Sequence, residues 1–377
     1  MMITFGLYVH FPFCRSKCPY CAFTSFTDAD MLIERYCVAL KSEIRQRLSE
    51  PFHTSPRTVY FGGGTPSLVP SQLLKRVAES LSLDQSVEFT VEANPESISL
   101  SWLEGIREAG ANRLSIGVQS LDNRVLRSLG RIHLAHDAIR SIVMAQKAGF
   151  SNISVDLMFG VPDQTVNSWE NTLHAVLDMQ PSHISCYSLG IEEDTVFFHR
   201  AQHGNLPVPG HDRTADMYMA ALEFLESAGY VRYELSNFAL PGYECRHNKS
   251  YWNFTPYIGI GAAAHSFDCE IRRWNVGDVR EYLRRMENGK NPTDSSEFIT
   301  GHKRLVETVM LSLRTREGLN PADITLFAPE SSAVVRKKIG ELTMAGFLMA
   351  DRADNITLTP RGTCIANEII AEILADL

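Results

Sequence analysis

The stretch LYVHFPFCRSKCPYCAF, residues 7–23, runs from an apolar β-forming segment into three cysteines, Cys14, Cys18 and Cys21, separated by three and then two residues. The N-terminal MMITFGLYVHF has no basic stretch followed by an apolar core of signal-peptide type, so a cytoplasmic, reducing location is expected. There, clustered thiols read as metal ligands rather than disulfides. Three thiolates this close can hold one face of a 4Fe-4S cube and leave its fourth iron without a protein ligand. A structural zinc site needs a fourth donor, and no second Cys or His pair follows at ribbon or finger spacing, which leaves His10 as the candidate for that alternative. Most of the scattered Cys37, Cys186, Cys245, Cys269 and Cys364 read as small buried hydrophobes.

The chain has 377 residues, 44% of them apolar, enough for a large core and more than one folding unit. Six β-rich runs alternate with helical segments: GLYVHF (6–11), TVYFG (58–62), VEFTVEA (87–93), NRLSIGV (112–118), NISVDLM (152–158) and HISCYSL (183–189). Between the first two, Leu32, Tyr36, Leu40, Ile44 and Leu48 make one apolar helix face. Repeated strand–helix units predict a parallel sheet. Six units fall short of the eight of a closed barrel, so the expected fold class is α/β, an open partial (β/α)6 barrel over residues 1–235. An aromatic and glycine-rich connecting segment follows over 236–299. From 300 to 377 the pattern is helix, helix ending at Gly346, two short strands FLMA and ITLTP, then helix, which predicts a winged-helix-like α+β domain. Residues 301–377 hold 9 Lys and Arg against 10 Asp and Glu, so this unit lacks the basic face of a nucleic-acid reader and is expected to dock or brace.

Polar signals fall at or near the carboxyl ends of the expected strands. The cysteines follow the first and Gly62, Gly63, Gly64 and Thr65 the second. Glu92 ends the third, Gln119 follows the fourth, Asp156 sits in the fifth and Gly190 follows the sixth. In parallel α/β architecture those ends meet on one face, which carries the chemistry. With Tyr8 and the HFPFC lead, the cysteine motif resembles the radical S-adenosylmethionine (SAM) superfamily. Within it, the similarity is to the group of anaerobic coproporphyrinogen oxidases and HemW-type heme chaperones. The resemblance implies a 4Fe-4S cluster on Cys14, Cys18 and Cys21 whose open iron takes the amino and carboxylate groups of SAM, with an electron from the cluster cleaving SAM to a 5′-deoxyadenosyl radical. It also implies that Gly62, Gly63, Gly64 and Thr65 face the SAM amino group and Glu92 its ribose. Gln119, Arg131 and Asp156 match positions that contact SAM or a second SAM, Tyr20 matches the aromatic over the cluster, and Tyr8 joins the cofactor-binding set.

Differences within that group point to the chaperone. The oxidase carries a further cysteine two residues after the third, where this chain has Phe23, and an N-terminal extension for which Cys14 leaves no room. The string RHNKSYW, residues 246–252, resembles the HNxxYW heme-binding signature in His247, Asn248, Tyr251 and Trp252, and implies His247 as a heme ligand, with Cys245 as a weaker candidate. His265 fits a Gly-Ala-His pattern, with a structural role as an equal alternative. The expected function is a heme chaperone that binds the cluster, SAM and heme and delivers heme to apo-hemoproteins such as respiratory enzymes. The alternative is oxygen-independent coproporphyrinogen III dehydrogenase; whether the chain turns over a substrate stays open between the two. Expected partners are heme, the recipient proteins, an electron donor and a second copy in a homodimer. Nucleic acid is not among them, given a net charge of −8. Contact with a membrane is expected through a recipient protein.

Overall fold

The computed structural model describes residues 4–27, 29–48, 56–81, 83–327, 329–330 and 332–375. The six expected strands are present as β1 (Gly6–Phe11), β2 (Thr58–Gly63), β3 (Glu88–Ala93), β4 (Arg113–Gln119), β5 (Asn152–Phe159) and β6 (His183–Ser188), each parallel to the next. Their sequences alternate because the two faces of the sheet meet different surroundings. Val9, Phe61, Val91, Ile116, Val155 and Ile184 belong to one buried cluster with Tyr36, Leu40 and Ile44 of the helix Ile33–Leu48 and with apolar residues of the other crossover helices. Burial of each such large side chain contributes about 1.5–3 kcal/mol. The alternate residues, among them Tyr60, Glu92, Ser115, Asp156 and Ser185, face the concave interior, which is polar. Hydroxyl or carboxylate caps start the crossover helices, with Ser99, Asp122 and Thr165 accepting from backbone N–H groups of the first turn.

The sheet extends beyond the six strands on both edges. Among the described residues it has twelve, continued by β7 (Val231–Arg232), β8 (Asn237–Ala239), β9 (Tyr257–Ile260), β10 (His265–Phe267), β11 (Ile271–Asn275) and β12 (Thr293–Phe298). The order is β12-β11-β10-β9-β1-β2-β3-β4-β5-β6-β8-β7. Strand β9 lies parallel to β1, and β10 to β12 then fold back antiparallel. The segment 236–299 therefore does more than connect: it supplies β8 to β12. These strands are short, and β12, TDSSEF, is polar along its length, so no period-two apolar signal marks it. Glu43, buried on the helix Ile33–Leu48, fastens this added edge by accepting from Gly261 N (2.8 Å), Asn275 Nδ2 (2.8 Å) and Tyr282 OH (2.7 Å). Its removal strands three buried donors, each at about 1–3 kcal/mol.

The C-terminal domain has its own core of Leu305, Val309, Ile324, Val335, Ile339 and Ile369. Helices Gly301–Ser312, Pro321–Phe327 and Ser332–Met344 lead to the antiparallel ribbon β13 (Leu348–Ala350) and β14 (Ile356–Leu358), then to short helices. Gly346 takes φ +78° just past the third helix, as the expected cap requires. Among the described residues no helix is long and apolar enough to cross a membrane.

Candidate functional site

Beyond β1, Phe13 bridges Phe26, Cys14 N donates to Phe26 O at 3.0 Å and Phe26 N to Pro12 O at 2.7 Å, so residues 14–25 form a loop closed at its base. Three contacts brace it. Gly130 packs so close to Pro19 that a Cβ there would lie 2.6 Å from Cδ. Phe197 N donates to Pro19 O at 2.9 Å and the Phe197 ring lies 6.2 Å from that of Tyr20. His10 Nε2 lies 2.9 Å from Thr24 O, and because a carbonyl only accepts, that nitrogen carries the proton. Its Nδ1 then accepts from Tyr8 OH at 2.9 Å, so His10 has no lone pair left for a metal, and the zinc alternative loses its fourth donor.

Cys14, Cys18 and Cys21 are all free, half-buried thiols lining one cavity of about 390 Å³ at the carboxyl ends of the strands. A chain of contacts joins two of them. Cys14 Sγ is 3.6 Å from Thr65 Oγ1, which accepts from Asn94 Nδ2 at 3.1 Å. Asn94 Oδ1 accepts from Arg131 Nη2 at 2.9 Å, and Arg131 Nη1 donates to Cys18 Sγ at 3.6 Å. Burial works against the Arg131 charge, yet Tyr20, Cys18 and Glu96 raise its pKa, so it stays a cation facing the thiols. Among the described residues no three His, Cys, Asp or Glu side chains converge on one ion's position. Three free, half-buried thiols on one loop, with the Arg131 cation beside Cys18 to offset anionic charge, are a donor set that fits a 4Fe-4S cluster.

The expected residues Cys14, Cys18, Cys21, Tyr20, Gly63, Gly64, Thr65, Glu92, Gln119, Arg131 and Asp156 all line this cavity. Glu92 is half-buried and accepts from Tyr60 OH (2.8 Å) and Gly63 N (3.0 Å). Burial pushes its pKa up to about 7 against those two hydrogen bonds. Asp156 accepts from Ser115 (2.9 Å), Ser154 (3.0 Å) and Ser185 (2.8 Å), and burial raises its pKa as well. Gln119 sits at φ 64° beyond a bulge in β4. The glycines serve the protein's own packing as much as a ligand: a Cβ on Gly63, at φ +110°, would lie 2.3 Å from the His10 ring, and one on Gly64 2.7 Å from Phe13 O. Phe23 stands at the rim, 69% exposed.

Tyr8, Gly62 and His247 lie behind the cavity wall, and Gly190 lies outside its lining. His247 departs furthest from its expected role. On the helix Arg246–Trp252 it enters the barrel floor, 1% exposed, with Nδ1 2.8 Å from Thr58 Oγ1 and Nε2 2.9 Å from Tyr251 OH. Its ring stacks on Tyr60 at 5.1 Å, and burial, with Arg113 nearby, pushes its pKa down to about 3. Glu88 anchors the same turn, accepting from His247 N at 3.0 Å and Arg246 N at 3.1 Å. With both nitrogens engaged, His247 is seated as a plug rather than presented as a ligand to heme. Cys245 is likewise fully buried, 3.7 Å from Glu88 Oε1.

Residues that the sequence did not single out complete the site. Asn94 bridges Thr65 and Arg131, and Tyr60 holds Glu92. Arg113, 1% exposed, lines the cavity with its Nε unpartnered; burial opposes its charge, but Cys245 and Glu88 keep its pKa raised. Its place in NRLSIGV, at an inward position of β4, was the available signal.

The family model of the radical SAM superfamily matches residues 8–176, and that of the HemN C-terminal domain matches residues 299–364. A heme chaperone HemW of Bacillus subtilis is 33% identical, covering 98% of this chain and 99% of that protein. A mitochondrial radical S-adenosyl methionine domain-containing protein 1 of Bos taurus is 34% identical, covering 99% of this chain and 88% of that protein. The solved coproporphyrinogen III oxidase (HemN) of Escherichia coli, a radical SAM enzyme, superposes over 100% of this chain and 91% of its own with a TM-score of 0.82 at 23% identity. At that identity the likeness carries the fold, while the full-length relatives carry the family.

Proposed function

The chain belongs to the HemW family of radical SAM proteins, and from that membership we propose that it is a heme chaperone, binding a 4Fe-4S cluster, SAM and heme and releasing heme to apo-hemoproteins. The observation that carries this reading is the likeness to heme chaperones over 98% of the chain. When bound, a cluster on Cys14, Cys18 and Cys21 supplies an open iron for SAM and the electron that can cleave it. The chain's own residues position and shield. Thr65, Asn94 and Arg131 fix the directions of Cys14 and Cys18, and Arg131 compensates thiolate charge. Tyr20, braced by Phe197, screens the cluster loop. Burial raises the Glu92 pKa to about 7, so a hydroxyl or ammonium donating to its carboxylate stabilises the charged form, and Gln119 and Asp156 offer further polar contacts to SAM.

Heme recipients, among which respiratory enzymes are the expected class, would bring the protein to a membrane. An external reductant and a second copy of the chain complete the expected partners. The test is anaerobic reconstitution of the cluster with SAM and a reductant, following coproporphyrinogen by chromatography and heme by absorbance in parallel. Heme binding with transfer to an apo-acceptor and no turnover is the expected result. Formation of protoporphyrinogen at enzymatic rates would replace the chaperone with the dehydrogenase.

A further inference from the structure

A second cavity, about 640 Å³, opens between the added sheet edge, the helix Arg246–Trp252 and the helix Gly301–Ser312 of the C-terminal domain. That volume is in the range of sites that bury sizeable ligands. Its walls include Trp252, Phe254, Tyr257 and Phe267, aromatic faces suited to a flat macrocycle. Tyr187 and Asn248 line both this cleft and the cluster cavity, so a single layer of side chains separates them.

Two groups in the cleft have unmet capacity. His265, exposed on β10, has its ring stacked on Trp274 at 5.6 Å and 24°, and among the described residues neither ring nitrogen has a hydrogen-bond partner. Desolvation on the cleft side, with Arg272 nearby, lowers its pKa, so the ring is an unprotonated donor at neutral pH. Arg314 donates to Met310 O (2.7 Å) and Asn367 Oδ1 (2.7 Å) and has no carboxylate within ion-pair distance among the described residues. Arg272, by contrast, is held in a two-pronged pair with Glu307 at 2.7 Å and has no charge to spare.

The geometry points to this cleft as the heme site, with His265 as an axial ligand to the iron and Arg314 pairing a propionate. This assignment rests on the heme-chaperone reading and moves the ligand from His247, whose nitrogens are both engaged, to His265, whose nitrogens are not. A flat, iron-bearing macrocycle with carboxylates matches the three features of the cleft together: aromatic walls, a free imidazole and a guanidinium that Glu234 of the same cleft attracts without an ion-pair contact.

The test titrates ferric heme into the full-length protein and reads the Soret band, whose position reports axial ligation. His265→Ala is expected to shift that band and weaken binding at least tenfold, and Arg314→Gln to weaken it severalfold without moving the band. Since His265 is exposed, its loss leaves the thermal melt unchanged, which separates lost ligation from lost fold. His247→Gln is expected to leave the band where it is. An unchanged spectrum in His265→Ala would overturn the site while leaving the chaperone reading intact, as would loss of the band in a folded His247→Gln variant. Failure of the wild-type protein to bind heme at one equivalent would overturn both.

Discussion

The mouth and the floor of the same barrel handle buried polarity in opposite ways. At the mouth, Cys14 and Cys18 touch Thr65 and Arg131 only through long contacts of 3.6 Å, so the thiols are oriented but remain available. At the floor, His247 meets Thr58 and Tyr251, and Glu88 takes the donors of the turn above it, at 2.8–3.1 Å, so every ligand-like group is spent on another. A histidine inside a barrel is not thereby a site; what its nitrogens already hold decides. The mouth is arranged to receive something, and the floor to seal the end of the sheet.

The sharpest way to break this contrast is Cys18→Ala. Complete loss of the brown cluster absorbance after reconstitution is expected, with the melting curve of the cluster-free protein nearly unchanged; a cluster at full occupancy would remove Cys18 from the ligand set. Glu88→Ala should do the reverse. It strands the N–H groups of Arg246 and His247 and leaves Arg113 without its carboxylate neighbour, for a loss of about 3–5 kcal/mol in denaturant unfolding. A change under about 1 kcal/mol would show that the floor is not the seal described here. The smallest and most specific test is the pH slope of stability. His247 is held neutral, with its pKa lowered to about 3, so it gives full stability above the ordinary histidine pKa and loses it as pH falls from about 6.5 towards 3. The difference between wild type and His247→Gln should therefore change by about 1.4 kcal/mol per pH unit below pH 6.5. A constant difference would mean that His247 is already solvated and free, which would also reopen it as a heme ligand.

The parts of the fold and site open to reading from the chain were those with a strong local period or spacing. The six parallel strands appear within a residue or two of their expected bounds because helices cover one face and a polar cavity lines the other, which writes alternation into each strand. The three thiols, Thr65, Glu92, Arg131 and Asp156 were found through their motifs and do meet at one cavity. What stayed hidden depended on distant partners. Glu43 reads as a helix surface carboxylate until Gly261, Asn275 and Tyr282 arrive from more than two hundred residues away. Strands β9 to β12 are too short or too polar to declare themselves, and Arg113 looks like an ordinary charge inside a strand-forming run. In RHNKSYW the residue types were legible, but the direction of the His247 ring was not, since its two partners lie on different elements.

The pairing of β1 with β9 has a consequence in time. Gly6 sits beside Tyr257, so β1 acquires its outer neighbour only after about 250 further residues have been synthesised. Contacts of such long sequence separation close late and slowly. The cysteine loop leaves the ribosome well before Asn248, the last residue of the cavity lining in chain order, is made. Until β9 docks, the edge of β1 is the place where a nascent copy is most open to wrong pairing.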